Sequence, residues 1–216
     1  MKGALAAVKM RKENNPYGLC TWDPDADCAN CCDRNLLNCR MNYSDLIQFG
    51  LLTFSMFIPA VIGMVLGGYA IYLTGYAAFW VFFFGFFEIR ILCSHCPFYA
   101  ERGFILHCLA NYGLPKFWRY HPEPMSLFEK VSLVIGIAIL FGYPLPFLIL
   151  GSQFVLLALT CYAGVLWFFV MQKGVCSRCV NFSCPLNRVP KKVVDNYLRR
   201  NEVMRQAWEA KGYKLD

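Results

Sequence analysis

The chain has 216 residues, of which 57% are hydrophobic and only 16% charged, with a formal net charge of +7 and 12 cysteines. This composition excludes an ordinary soluble domain, in which about a quarter of the residues are charged, and it excludes a disordered chain. Every Lys and Arg lies outside the two longest apolar stretches. The positive charge is therefore explained by membrane topology, and no nucleic-acid partner is expected.

Two uncharged blocks dominate the sequence, from residue 46 to 87 and from 131 to 172, each 42 residues long and without Asp, Glu, Lys, Arg or His. A single helix of that length would span about 63 Å, roughly twice the hydrocarbon core of a bilayer. Each block is therefore predicted to form two membrane-spanning helices. The turns are expected at Gly67-Gly68 and Gly151-Ser152, because Gly tolerates positive φ. The predicted fold is an all-α integral membrane protein with four transmembrane helices in two tandem hairpins.

Three polar segments lie outside the hairpins, at residues 1–45, 88–130 and 173–216, and they carry 6, 5 and 10 Lys and Arg residues respectively. Two hairpins place all three segments on one side of the membrane. Positively charged segments remain in the cytoplasm. We therefore predict a cytoplasmic amino-terminal segment, central loop and basic carboxy-terminal tail, in the inner or plasma membrane if the organism is prokaryotic.

Eleven of the 12 cysteines lie in these three segments. In a reducing cytosol such a dense pattern indicates metal binding, whereas an oxidising compartment would favour disulfides. Ten of these eleven cysteines are predicted to be metal ligands, and Cys32 is the one that is not. These ligands are Cys20, Cys28, Cys31 and Cys39 in the amino-terminal segment, Cys93, Cys96 and Cys108 in the central loop, and Cys176, Cys179 and Cys184 in the tail.

A Cys-Ser-x-Cys motif follows each hairpin, at residues 93–96 and at residues 176–179. The first Cys comes 47 residues after the start of the first block and 45 residues after the start of the second. This pattern predicts a parallel duplication. The two motifs would leave the second and fourth helices on the same face, so Cys93, Cys96, Cys176 and Cys179 are expected to converge on one tetrahedral centre.

Four thiolates suit either an iron–sulfur cluster or zinc. Cys96-Pro97 and Cys184-Pro185 both contain the Cys-Pro step of many ferredoxin motifs, which favours iron. A structural zinc site is the alternative, and Cys20, Cys28, Cys31 and Cys39 would suit it. His95 and His107 are candidate ligands or hydrogen-bond partners of a thiolate. His121 is expected at the surface.

The stretch from Arg90 to Pro97 resembles the Cys-Pro turns of membrane-bound polyferredoxins of nitrate and nitrous-oxide respiration. That family has Cys-x3-Cys-Pro where this chain has Cys-x2-Cys-Pro. The resemblance implies iron–sulfur clusters on the cytoplasmic face. The helix count is also similar to that of protein palmitoyltransferases, but their Asp-His-His-Cys nucleophile motif is reduced here to Leu106-His107-Cys108.

The blocks contain no His for a b-type haem and no ionisable residue for an ion pathway. Pro59, Pro144 and Pro146 are expected to kink their helices and open a lateral groove for a lipid-soluble molecule such as a quinone. Cys161 is expected to be a packing residue. Residues 191–211 are predicted to form one basic helix that lies on the membrane or recruits a protein partner. The preferred function is an electron-transfer and anchor subunit between the quinone zone and a cytoplasmic partner. The alternative is a zinc-binding scaffold without redox activity, and whether the chain is itself an enzyme stays open.

Overall fold

The computed structural model describes residues 12–108 and 110–216. Within these residues the chain is helical, and one isolated bridge between Ile105 and Pro115 is the only β-type pairing. Four helices in this part of the chain are long and apolar enough to cross a membrane: Tyr43–Leu66, Tyr72–His95, Leu127–Leu150 and Phe154–Arg178. The all-α class and the four predicted spans are confirmed, as expected of an integral membrane protein.

The two hairpin turns lie where the sequence predicts them. Helix α1 (Tyr43–Leu66) begins after Asn42, whose side chain accepts a hydrogen bond from the Ser44 N–H, and it ends at Gly67. Gly68 has φ +84°, a conformation that favours glycine, and α2 (Tyr72–Phe82) follows. In the second hairpin the positive φ falls on Ser152, at +55°, rather than on Gly151.

Both hairpins end in a π-helical turn and a 3₁₀ turn. The second span continues from α2 through a π-helical turn (Phe83–Phe87) and α3 (Glu88–Ile91) into a 3₁₀ turn (Cys93–His95). The fourth span continues from a longer helix through a π-helical turn (Met171–Val175) directly into a 3₁₀ turn (Cys176–Arg178). Each Cys-Ser-x-Cys motif thus begins with a 3₁₀ turn near the end of a hairpin, which supports the internal duplication, although α3 has no counterpart in the second hairpin.

The third span is divided by a proline. Helix α4 (Leu127–Gly142) begins with a capping box, in which Ser126 and Glu129 exchange hydrogen bonds between side chain and backbone. The span then bends at Tyr143, where Pro144 begins α5 (Pro144–Leu150) because proline has no N–H to continue the helical ladder. The fourth helix, α6 (Phe154–Val170), follows the Ser152 turn and packs against α1.

The bundle core is largely aromatic. Tyr76 stacks on Tyr143 with ring centroids 4.9 Å apart and donates a hydrogen bond to the Leu140 carbonyl at 2.6 Å. The rings of Phe57 and Trp80 meet edge to face at 4.5 Å. Large apolar side chains cover the outside of the same helices, including Val155, which is 75% exposed. Such an outer surface is expected of helices that face lipid.

The polar segments 12–42, 92–126 and 179–216 pack together, and we call this unit the cap. Its core contains Leu19 and Trp22 from the first segment, Tyr99 from the second, and Tyr197 and Trp208 from the third, all of them buried. Trp22 donates a hydrogen bond to the Pro97 carbonyl at 2.9 Å, and Thr21 and Tyr197 share one at 2.7 Å. The three segments therefore form one folded body rather than three independent loops.

The prediction of one helix over residues 191–211 is wrong. The structure has α7 (Lys191–Arg200) and α8 (Glu202–Glu209), with a break at Asn201. The Asn201 side chain is fully buried and accepts a hydrogen bond from the Cys20 N–H at 2.7 Å. The apolar residues Val194, Leu198 and Trp208 of this segment are buried in the cap core, where they face neither the membrane nor a partner. The apolar side of this segment is thus already occupied by the chain itself.

Candidate functional site

The two Cys-Ser-x-Cys turns have matching geometry. Ser94 Oγ donates to the Arg90 carbonyl at 2.5 Å, and Ser177 Oγ donates to the Lys173 carbonyl at 2.6 Å, so each Ser caps the preceding helical turn in the same way. The last Cys of each motif is extended, with φ −84° and ψ 137° at Cys96 and φ −76° and ψ 129° at Cys179. The repeat seen in the sequence is therefore also a repeat of local structure.

Polar side chains tie the two turns together. Asn181, two residues after Cys179, donates to the Leu92 carbonyl at 3.0 Å, directly before the first motif. Asn187 donates to the carbonyls of Cys179 and Asn181 at 2.8 and 3.0 Å, which closes the loop that carries Cys184. The central and carboxy-terminal cysteines thus lie on two turns that share one network of hydrogen bonds.

Six cysteines lie on these two turns or on loops hydrogen-bonded to them, and we call them the inner thiols: Cys93, Cys96, Cys108, Cys176, Cys179 and Cys184. Burial raises the pKa of Cys96 well above its usual range, and the neighbouring Cys179 and Cys108 add to the shift. Burial and then Cys179 raise the pKa of Cys184 to about 12. Thiols that perturb one another in this way are close neighbours in a medium of low polarity. The structure therefore brings the central and carboxy-terminal groups together.

Asn111 joins two inner thiols to a buried carboxylate. Its side-chain amide donates to Glu88 Oε2 at 3.1 Å and to Cys93 Sγ at 3.2 Å, while its backbone N–H lies 3.2 Å from Cys108 Sγ. Glu88 is only 9% exposed and is therefore buried rather than displayed at the membrane surface. Arg90, two residues further along the chain, pairs not with Glu88 but with Glu129, at 3.3 Å.

The amino-terminal cysteines form a separate group, the outer thiols: Cys20, Cys28, Cys31, Cys32 and Cys39. Burial raises the pKa of Cys39 to about 12, followed by the effects of Cys20, Cys31 and Cys28. These four are the cysteines that the sequence assigns to one centre. Cys28 and Cys32 are exposed, in contrast to the inner thiols, of which none is exposed.

Guanidinium groups contact the exposed side of the outer thiols. Arg200 donates to Cys31 Sγ at 2.6 Å and to Cys32 Sγ at 3.2 Å, and it also pairs with the buried carboxylate of Asp33. Arg40 donates to Cys28 Sγ at 3.2 Å. Positive charge at this position would partly neutralise thiolates. No sequence pattern indicates this contact, because Arg200 is 161 residues beyond Cys39 and lies in a generally basic segment.

The three histidines contact carboxylates and carbonyls. His95 lies 2.7 Å from the Glu123 carbonyl and 3.4 Å from Glu129 Oε1, and His107 lies 2.6 Å from Glu101 Oε2. The His121 ring lies 2.9 Å from Glu123 Oε1 and packs against His95. The side chains of His95 and His107 thus contact carboxylates and a carbonyl, not a thiol, so these contacts support neither of the two roles considered for them.

Tyr120 is a residue that the sequence analysis missed. Its side chain is buried, and its hydroxyl has no hydrogen-bond partner among the described residues. Burial, and after it the Cys96 thiolate, raises the pKa of Tyr120 well above its usual range, so the hydroxyl keeps its proton. Tyr120 lies in an Arg-Tyr-His-Pro-Glu-Pro loop, and this sequence matches no pattern typical of a functional site.

A lateral groove of about 420 Å³ opens on the bundle between α1, α5 and α6. It is almost entirely apolar and lies beside the bend at Pro144, as the sequence predicts for a kinked helix. Cys161 lines the groove and is exposed, so its interpretation as a packing residue is wrong. The other residues that line it include Met56, Phe141, Leu145, Gly164 and Phe168.

Among the described residues, no group of three or more His, Cys, Asp and Glu side chains has an arrangement that could hold a metal ion as it stands. The inner thiols are neighbours, but their sulfur atoms would have to approach further to share one metal. In comparisons with family models, with curated proteins and with solved structures, the chain gives no match.

Proposed function

We propose that the protein is a membrane-anchored metal–thiolate protein, with an iron–sulfur centre at the inner thiols, that relays electrons between the quinone zone of the membrane and a cytoplasmic protein partner. The observation that carries this proposal is the junction of the two Cys-Ser-x-Cys turns. It gathers six sulfur donors next to the ends of the second and fourth spans.

The donor set fits a soft metal. Sulfur ligands select zinc or iron–sulfur clusters, whereas magnesium and calcium require oxygen. The raised pKa values of Cys96, Cys108 and Cys184 mean that burial favours neutral thiols in the metal-free cap. Metal binding would release these protons and would therefore stabilise the folded cap more strongly at higher pH. A bound cluster would supply one-electron chemistry, while the chain supplies the ligands, the burial and the membrane anchor.

The Cys-Pro steps at Cys96-Pro97 and Cys184-Pro185 favour iron, as does the resemblance to membrane-bound polyferredoxins. Both steps belong to the inner thiols, so the iron–sulfur proposal concerns this group. The outer thiols support a second candidate function, a structural zinc site. Cys39 has Cys20, Cys31 and Cys28 as electrostatic neighbours, which is the quartet that a Cys₄ site needs.

The lateral groove supports a quinone as the membrane-soluble partner. It is apolar and of a size typical of ligand sites, and it lies on the bundle below the cap. The cap offers a surface for a soluble partner, because α7 carries the exposed basic residues Lys192, Arg199 and Arg200, and Arg200 contacts two of the outer thiols. The proposed route therefore runs from the groove, past the inner thiols, to the surface of the cap.

The proposed sidedness is that the cap lies in the cytoplasm, because all Lys and Arg residues lie outside the two apolar blocks. Reporter fusions at Gly68 and Gly151 should appear on the opposite side of the membrane from a reporter joined at residue 216. A cytoplasmic signal from either turn would contradict the topology.

Anaerobic purification followed by metal and acid-labile sulfide analysis tests the proposal directly. We expect iron and sulfide in the wild-type protein, their loss in Cys96→Ser and Cys179→Ser, and their retention in Cys161→Ser, the matched thiol inside the bundle. A quinol analogue should reduce the centre. Zinc without sulfide would favour the scaffold, and protein without either metal, never exposed to oxygen, would refute both functions.

A further inference from the structure

The Tyr120 hydroxyl is buried without a hydrogen-bond partner among the described residues, although its side chain belongs to the cap core and is 6% exposed as a residue. Nearly all buried polar side-chain atoms in folded proteins have a partner. A buried hydroxyl without a partner lowers the stability of the folded state, because it has lost its hydrogen bond to water and gained none in return. A phenylalanine would avoid this cost at the same position, so the hydroxyl needs an explanation.

The backbone holds Tyr120 beside the first Cys-Ser-x-Cys turn. The N–H of the next residue, His121, donates to the Ser94 carbonyl at 2.8 Å, inside that motif. On the other side, the Tyr17 ring packs edge-on against Tyr120 with centroids 4.8 Å apart. The ring therefore has little freedom to turn its hydroxyl to solvent. Cys96 follows Ser94 by two residues in the same turn, which places its thiol on the side of the cap that holds Tyr120.

A phenol donates one hydrogen bond, and a neutral thiol is only a weak acceptor. A thiolate bound to a metal remains negatively charged and is a much better acceptor. Hydrogen bonds to ligand sulfur atoms are one of the means by which proteins tune metal centres. The missing partner of the hydroxyl is therefore of the kind that metal binding at the inner thiols would create.

We propose that Tyr120 is a positioning residue whose hydroxyl donates a hydrogen bond to the Cys96 sulfur once that sulfur is bound to metal. This inference rests on the proposed metal site at the inner thiols but does not depend on which metal is native. It also assigns Cys96, among the six inner thiols, as a ligand of the metal. The hydroxyl would gain its hydrogen-bond partner only in the metal-bound state, which explains why it has none among the described residues.

Cobalt(II) is a suitable probe, because it occupies tetrahedral thiolate sites and gives a sulfur-to-metal charge-transfer band that responds to hydrogen bonds at sulfur. The full-length protein would be loaded with cobalt(II) as wild type, Tyr120→Phe, Cys96→Ser and the double variant. We expect Tyr120→Phe to shift the band to lower energy and to release cobalt to a chelator about five to ten times faster. In the Cys96→Ser background the same change should have no effect on either quantity.

Metal-free protein supplies the second readout. Tyr120→Phe should leave its thermal unfolding temperature unchanged or raise it, since no hydrogen bond is lost there. Tyr213→Phe is the matched control, because it removes a hydroxyl that does donate, to Asp195 at 2.8 Å, far along the chain from the inner thiols. It should lower the unfolding temperature and leave the cobalt band unchanged.

The outcomes separate the two proposals. If cobalt-loaded wild type and cobalt-loaded Tyr120→Phe had the same charge-transfer band and released cobalt at the same rate, the role of Tyr120 would be overturned. The proposal of a metal site would not be affected. An equal effect of Tyr120→Phe with and without Cys96 would overturn it too. Failure of the wild-type protein to bind cobalt, zinc or iron would overturn both, because no metal-bound sulfur would exist.

Discussion

Gly67 and Gly151 touch backbone to backbone: a Cβ atom added to Gly151 would lie only 2.7 Å from the Cα of Gly67. The two glycines end α1 and α5, so the contact joins the turns of the two hairpins at the end of the bundle opposite the cap. The hairpins are thus held together at both ends. The cap joins them on one side, and a contact without side chains joins them on the other.

Gly151→Ala should separate the turns and lower the free energy of unfolding by about 1–3 kcal/mol, because an added methyl has no space against a backbone. Gly50→Ala is the control, since a Cβ there meets nothing within 4 Å. Thermal unfolding in detergent would compare the two variants. Equal unfolding temperatures of Gly151→Ala and Gly50→Ala would show that the contact between the two turns does not contribute to stability.

Asn111→Ala should destabilise the cap by about 2 kcal/mol, because it leaves Glu88 buried without its donor. Adding Glu88→Leu should recover most of that loss, since both polar partners are then gone. Asn30→Ala, at an exposed position of the cap, should change stability by less than about 0.5 kcal/mol. Denaturant unfolding of the four proteins provides the comparison. A double variant no more stable than Asn111→Ala would contradict the pairing.

Arg200→Ala should loosen the amino-terminal segment, because it removes the contacts with Cys31 and Cys32. It also removes the ion pair of the buried Asp33 carboxylate, which keeps only the hydrogen bond from Asn196 at 3.4 Å. Amide hydrogen exchange over residues 28–37 should accelerate about fivefold, a moderate effect because Arg200 is partly exposed. Lys192→Ala removes an exposed charge from the same helix and should leave exchange unchanged. An unchanged rate of amide exchange in Arg200→Ala would show that Arg200 does not hold the amino-terminal segment in place.

Asp195 should make the cap sensitive to acid. Burial acts to raise its pKa, but hydrogen bonds from Lys191 at 2.7 Å and Tyr213 at 2.8 Å outweigh it and hold the pKa below the usual value. The folded state thus favours the ionised form. The stability from this group is present above the unfolded pKa of about 3.9 and is lost as the pH falls through the lower, folded value.

Asp195→Asn should therefore cost about 1–2 kcal/mol at neutral pH and should flatten the loss of stability between about pH 5 and pH 3. Glu209→Gln, an exposed change on α8, should follow the wild-type profile. Thermal unfolding across this range would measure both. A variant whose stability falls with pH as steeply as the wild type would exclude Asp195 as the source.

The membrane part of the fold is readable from the sequence because one constraint dominates it. A bilayer admits long apolar helices and excludes charge, so the two uncharged blocks determine the four spans. Gly67-Gly68 and Gly151-Ser152 mark the turns, and Ser126 with Glu129 marks the start of α4. Each of these signals is local, and each depends on residues only a few positions apart.

The cap is different because contacts between distant residues decide it. The basic, amphipathic pattern of residues 191–211 continues across Asn201, and only the hydrogen bond from the Cys20 N–H shows why the helix breaks there. The grouping of Cys39 with three earlier cysteines was predicted from spacing, whereas the contact of Arg200 with Cys31 was not. Tyr120 could not be found either, since an unpaired hydroxyl is recognisable only when its surroundings are known.

The cap core also imposes an order on biosynthesis. Leu19 and Trp22 leave the ribosome long before Tyr197 and Trp208, the side chains that share their core. All four spans are made in between, so membrane insertion precedes closure of the cap. Until α7 and α8 emerge, the core around the amino-terminal segment and the central loop is incomplete. If the thiols of these segments bind metal, as proposed, the metal would reach them most easily in the nascent chain, before the last helices pack against them.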